Sequence, residues 1–209
     1  MREVAAAGHE VGVHAFDHVR WQDFVADRSE GWTRKEFDAA LGAFERVFGA
    51  PARTCGAAGW QLNEYVPAME GAAGMLYASD CRGSCPFQPS VPGACPQLPT
   101  TLPTLDELIG APGLDEHNVH SHLLQTTESA PETGHVYTLH AELEGMKLMP
   151  VFERLLDGWK AQGYALGTTG ELFAQINVPA LPQHEIIRGR VEGRSGLLAV
   201  QGPAVCPAF

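Results

Sequence analysis

Short runs with β character, each followed by a polar or glycine-rich turn and then by a helical pattern that glycine closes, recur along this 209-residue chain. That alternation admits few folds. Strands separated by helices pair in parallel, so the expected class is α/β, a parallel sheet or barrel around one core. The clearest helix is expected from Thr33, with Glu36 three residues on completing a capping box and Phe37, Leu41, Phe44 and Phe48 on one face before Gly49. A second is expected from about Lys147 to Gln162, with Val151, Leu155 and Trp159 at four-residue spacing and Gly163 as its cap. Strand-like Tyr164 to Gly167 follows. At the start, Arg2 to Ala7 reads as the last turns of a helix running into Gly8 and a strand, Glu10 to His14. A βα unit places a strand before such a helix, so the expected fold is N-terminally incomplete. After Pro182 the pattern changes to Ile186-Ile187, Val191, Leu197-Leu198 and Val200 around the turn-like Glu192 to Gly196. The expected division is a body over 1–182 and a small C-terminal β-hairpin appendage over 183–209.

Charge narrows the function classes. Fourteen basic against twenty-five acidic side chains leave a net charge of -11, which repels a phosphate backbone and offers anionic lipid no polybasic patch. Nucleic acid is therefore not an expected partner. No stretch approaches the roughly 18 consecutive apolar residues that span a bilayer, and no secretory leader pattern follows Met1, so a cytoplasmic setting is expected. Cys81, Cys85 and Cys95 lie in a Gly/Pro-rich loop and read either as reduced thiols or as metal ligands, without paired C-x-x-C spacing.

The densest chemical signal is Gly8-His9-Glu10-Val11-Gly12-Val13-His14-Ala15-Phe16-Asp17-His18, in which an alternating strand ends in His14 and a second imidazole follows four residues later. Neutral imidazoles suit zinc and similar divalent metals, but two are an incomplete set that a carboxylate or water must finish. The competing reading puts both on a solvated turn. Two further strand-like runs end in polar groups: Met75 to Ser79 in Asp80, and Val136 to Leu139 in His140. Parallel α/β proteins build active sites at the C-terminal ends of strands, so His14, Asp80 and His140 are expected to share one rim. The alternative for His140 is a structural histidine satisfied by Glu142 or Glu144. His117, His120 and His122 would line a groove if their run is a strand, or else face solvent. Trp21 and Trp60 read as sugar-stacking platforms or as core.

Gly8 to His18, Ala57-Ala58-Gly59-Trp60, Tyr77-Ala78-Ser79-Asp80-Cys81-Arg82-Gly83 and Val136-Tyr137-Thr138-Leu139-His140-Ala141-Glu142 resemble, in order and spacing, successive motifs of the polysaccharide deacetylase (NodB-homology) family. The Ala-Ala-Gly-Trp run stands where the wider family has Arg-Pro-aromatic, which favours the family's deformylase branch. The resemblance covers roughly residues 1 to 180. It implies a distorted (β/α)7-type barrel and a metal-dependent hydrolase that removes the formyl group from 4-formamido-arabinose linked to undecaprenyl phosphate, in lipid A modification. Its substrate would be a lipid-linked aminosugar, met by peripheral association at the inner membrane.

Position by position, the resemblance makes His14 and His18 the ligands of a divalent metal, zinc, cobalt, nickel or manganese. His140 becomes the general acid, and Asp80 an acidic group that orients His140 or contacts substrate. Gly59, Trp60 and Arg82 fall where the oxyanion and substrate are held. The family's N-terminal aspartate pair, which supplies the base and a third ligand, has no counterpart, since no aspartate precedes Asp17. Two alternatives stay open: a general N-deacetylase of aminosugars or polysaccharides, and a non-catalytic carbohydrate-binding remnant.

Overall fold

The computed structural model describes residues 1–205. The last part of the expected C-terminal tail, 206–209, lies outside the described residues. In chain order the elements are α1 (Arg2–Ala6), α2 (His18–Phe24), α3 (Glu30–Phe48), β1 (Thr54–Cys55), α4 (Val66–Ala72), β2 (Tyr77–Ala78) and β3 (Gln88–Pro89). They continue with α5 (Leu105–Leu108), α6 (Val119–Thr126), α7 (Met149–Ala161), α8 (Thr169–Gln175), β4 (Gln183–Gly189) and β5 (Leu198–Ala204). The class is mixed α/β with parallel pairing at its centre.

Val13 pairs in parallel with Cys55, β1 with β2, and Ala78 with Gln97, while the Thr101 amide donates to the Val136 carbonyl at 3.0 Å. These contacts set the segments ending at His14, Gly56, Asp80, Thr101 and His140 side by side. Paired strands are short because each segment soon turns out to build the rim. Among the described residues no pairing joins the Val136 segment back to Val13, so the pairings form an open arc; of the expected distorted, N-terminally incomplete barrel, this arc of parallel pairings is the part seen. Tyr164 to Gly167, expected as a strand, pairs with nothing there; the Tyr164 hydroxyl instead donates to the Thr127 carbonyl at 2.7 Å.

α3 begins at Glu30, three residues before the expected start. Thr33 cannot serve as its cap, because the buried Thr33 hydroxyl donates to the Ser29 carbonyl and accepts from Asn63 Nδ2 at 2.8 Å. Glu36 does not reach back either; it pairs with Arg20 at 3.3 Å. The apolar stripe holds: Phe37 and Ala40 are buried, Leu41 and Phe44 pack on them, and left-handed Gly49 closes the helix. α7 buries Val151, Leu155 and Trp159 and ends as expected at Gly163 (φ +91°), where the Tyr164 amide reaches the Trp159 carbonyl. α6, not a strand, carries His120 and His122. Two residues apart on a helix, they point to different faces, while Val119 and Leu123 one turn apart enter the core against α7.

Two apolar clusters result, one beneath the arc around Val25, Ala58, Val66, Ala78 and Phe87, the other between α5, α6 and α7. Leu155, fully buried in the second, is expected to cost about 2–5 kcal/mol when cut to alanine. Urea unfolding checks this; a loss below about 1 kcal/mol would show that the α6–α7 contact is loosely packed.

β4 and β5 form the expected hairpin, and it is tied to the rest of the chain. The Arg82 amide donates to the Ala199 carbonyl and the Arg82 carbonyl accepts in return from the Gln201 amide, β3 pairs with β4, and Leu198 and Ala199 are buried.

Candidate active site

His14 follows the bridge residue Val13 directly, and Asp17 caps α2 by accepting from the Arg20 amide, which places His18 at the first position of that helix. The left-handed Ala15 (φ +63°) turns the chain between them. The two rings lie with centroids 5.0 Å apart. His14 Nδ1 donates to the Gly56 carbonyl at 2.7 Å, so that nitrogen carries the proton and Nε2 is left with a free lone pair. Partial burial holds the His14 imidazole below the ordinary histidine range, against the Gly56 bond and helped by His18, so the ring is favoured in the neutral form that binds metals. The pair thus fits a divalent ion as half of a ligand set.

Asp80 is 1% exposed and held on three sides: by Gln97 Nε2 at 2.8 Å, by the Ala57 amide, and by Glu70. With Cys55 these two carboxyls form the one three-donor cluster among the described residues, its donor atoms within 4.8 Å of one another. Burial, then the neighbouring Asp80, pushes the Glu70 carboxyl well above its usual range, while burial raises Asp80 too. One proton shared by the pair is the simplest state for two carboxyls enclosed together. Cys55, Cys81 and Cys95 are buried free thiols, each pushed up by burial and then by nearby carboxyls, and Cys85 lies apart beside Gln201.

The proton on Glu70 sets a slope of stability with pH. Unfolded, Glu70 titrates in the ordinary glutamate range; folded, it keeps its proton to higher pH, so stability is full below the ordinary value and falls as pH rises through the raised one. Glu70→Gln retains a donor for Asp80 without the titration. The variant should therefore gain on the parent progressively in urea midpoints as pH rises above the ordinary glutamate range; parallel curves would mean Glu70 is ionised in the folded protein.

Asp80 does not meet His140. Burial and its three partners commit it elsewhere, and the carboxylate facing His140 is Asp106, at the first turn of α5, with Oδ1 3.3 Å from Nδ1 and off line for a well-formed hydrogen bond. Asp106 raises the His140 pKa against partial burial and Arg194. Although burial opposes it, the company of His140, Thr104 and Arg194 holds the Asp106 carboxyl well below the usual carboxylate range. Glu144, one of the two expected partners of His140, binds its backbone amide at 2.9 Å and leaves the ring free.

Trp60 is buried, its indole donating to the Thr100 hydroxyl at 3.1 Å. The Arg82 and Arg194 guanidiniums each lie 4.9 Å from its ring, and His140 approaches edge-on at 6.5 Å. It is a platform for arginines, not an open sugar-stacking face. Its amide is already committed to the Ala57 carbonyl at 3.1 Å, which removes it from an oxyanion role in this conformation; Gly59 beside it is left-handed (φ +62°), packed against Gln22. Arg82 is buried against Glu107 and the Leu102 carbonyl at 2.9 Å, a scaffold position. Trp21 is core, its indole donating to Gln61. Asp106, Glu107, Arg194, Gln97 and Glu70 escaped sequence reading. One signal was available for two of them: Thr104-x-x-Glu107 is a capping box, which places Asp106 at a helix start beside the rim.

No family model matches the chain. The chain is 31% identical over 205 residues to the protein of Shewanella sediminis named 4-deoxy-4-formamido-L-arabinose-phosphoundecaprenol deformylase, covering 98% of this chain and 66% of that one. It is 31% identical over 202 residues to the protein of the same name in Wigglesworthia glossinidia brevipalpis, covering 94% and 69%. The chain thus spans about two thirds of the length of either relative. Among solved structures, a polysaccharide deacetylase from Mycobacterium smegmatis superposes with a TM-score of 0.69 at 19% identity, over 91% of this chain and 70% of that one. The allantoinase PuuE does so with a TM-score of 0.66 at 18% identity, over 83% and 60%, and both likenesses speak for the fold. Sequence identity at this level over this length, joined to a parallel arc with His14, His18 and His140 on one rim, means that the chain belongs to the polysaccharide deacetylase family, alongside the formamido-arabinose deformylases.

Proposed function

We propose that the rim is the hydrolytic site of a metal-dependent deformylase acting on 4-formamido-arabinose linked to undecaprenyl phosphate. The observation that carries this reading is the opposite bias of two imidazoles on one rim. His14 is held neutral, as a ligand must be, and His140 is held towards its protonated form, as an acid must be. The names of the curated relatives supply the substrate class.

His14 and His18 would hold the ion. When bound, a divalent metal polarises an amide carbonyl and lowers the pKa of water, the two needs of formamide hydrolysis. Of the chain's own groups, those on the rim account for the acid. Asp106 faces Nδ1 of His140, leaving Nε2 to carry the proton given to the departing sugar nitrogen. Trp60, edge-on to His140, packs against one side of that ring. The body over 1–182 would form the barrel-like catalytic unit, with the hairpin against it.

A lipid-linked substrate places the work at a membrane surface, met from the cytoplasm. We read contact with that surface as peripheral; no helix among the described residues is long and apolar enough to cross a membrane.

Formate release from a 4-formamido-sugar, with the matched 4-acetamido-sugar beside it, tests the reading. Metal-dependent formate without acetate is expected. Acetate in preference would make the chain a general N-deacetylase, and neither product from folded, metal-supplied protein would leave the carbohydrate-binding reading standing.

A further inference from the structure

Arg194 stands in the turn between β4 and β5, far in sequence from every motif of the rim, yet it reaches the rim's catalytic end. Its Nη2 lies 2.9 Å from Asp106 Oδ2 and donates to the Thr104 hydroxyl at 3.1 Å, its Nε donates to Glu107 at 2.7 Å, and its plane covers Trp60. One guanidinium therefore holds both acidic side chains of the first turn of α5, a two-point grip that a planar fork provides and an ammonium does not.

The turn that delivers it is pressed into place. Gly193 (φ +79°) lies so close to α5 that a Cβ there would fall 2.4 Å from the Glu107 carbonyl oxygen. Gln61, next to Trp60, donates to the Leu197 carbonyl at 2.8 Å on the other side of the turn. Asp106 presents Oδ2 to Arg194 and Oδ1 to His140, so fixing one oxygen aims the other.

We propose that Arg194 is a positioning residue for His140, acting through Asp106, and that the C-terminal hairpin is thereby part of the catalytic unit. The role rests on reading His140 as the acid of the proposed hydrolysis, but the arrangement itself is open to test without substrate. The charged groups facing His140 are Asp106 from α5, Arg194 from the hairpin, Glu144 from the turn before α7, and His14 across the rim. Arg194 by its own charge lowers the His140 pKa, whereas by fixing Asp106 it raises it. The two roles predict opposite signs.

The deciding measurement is the titration midpoint of His140 in the full chain, from its ring carbon-bound proton in NMR, assigned with His140→Gln. In Arg194→Ala, Asp106 keeps the Thr104 hydroxyl, which donates to Oδ1 at 2.6 Å, but Oδ2 is free to turn to water, and the His140 midpoint should fall towards the ordinary histidine value. Arg194→Lys, which keeps the charge without the fork and guards against misfolding of the alanine variant, should fall part of the way. Arg188→Ala, which breaks an exposed pair with Asp27 on the same hairpin, should leave the midpoint where it is. A midpoint that stays or rises in Arg194→Ala or Arg194→Lys would overturn the proposal, as the arginine would then act only by repulsion. Formate release should drop about 10- to 100-fold in Arg194→Ala, the scale for losing a group that orients an active-site ligand. Absence of formate from the parent chain would sink the deformylase reading and leave the midpoint result intact.

Discussion

Replacing His140 with alanine is expected to lower formate release by about 10²- to 10⁴-fold, with the loss in kcat and not in KM. The reason is that the sugar nitrogen leaves as a poor anion unless a proton reaches it in the transition state, and His140 is the group on the rim held towards its protonated form. The pH profile carries a second signature. Because Asp106 raises its pKa, His140 keeps its proton past the ordinary histidine value, and activity should decline only as pH rises through that raised value. His140→Ala should erase this alkaline limb. A loss under about tenfold, or an unchanged limb, would remove His140 from the proton transfer. Thermal unfolding of the variant separates catalysis from stability, since the ring is only half-buried and its loss leaves Asp106 still paired with Arg194.

The second large effect belongs to His14. With two imidazoles as the donors found, His14→Ala removes half the set, and a transition-metal ion should bind much more weakly than the roughly 10- to 100-fold penalty for losing a mere supporting partner. Titration of the parent and variant with Co(II), followed by its visible absorption, reads this directly. His18→Ala should do the same. Equal binding in all three proteins would place the ion elsewhere, and Cys55→Ser would then ask whether it sits at Cys55, Glu70 and Asp80, where a thiolate ligand adds its own intense near-ultraviolet band. Affinity should also fall as pH drops, since a ligand imidazole must be neutral, and the desolvation that keeps His14 neutral extends binding to lower pH than a free histidine allows.

Much of this was legible in the residues themselves because it is local. The stripe of α3 and the Val151-Leu155-Trp159 spacing of α7 each state a period that one segment satisfies alone. The same holds for a histidine pair four residues apart at the end of an alternating run. Local reading failed where two local patterns compete. The run carrying His117, His120 and His122 left a strand or a solvent-facing stretch open, but Val119 and Leu123 are one helical turn apart, and the apolar groove beside α7 rewards only that arrangement. Thr33 and Glu36 spell a capping box as well as any, yet a hydroxyl owed to Asn63 and a carboxylate owed to Arg20 left neither free to cap.

The pairing of charges was beyond the sequence for a different reason. Asp106, Arg194 and Trp60 lie on three segments far apart in the chain, and nothing in their own neighbourhoods says that those segments meet. By itself the sequence determined the α/β class, the helical stripes, the hairpin and the histidines that could hold a metal or a proton, since each depends on spacing along the chain. Only the tertiary structure decided that Asp80 is shut in with Glu70 while Asp106 faces His140, because burial and the partner of a carboxylate are properties of what the fold brings within a few ångströms.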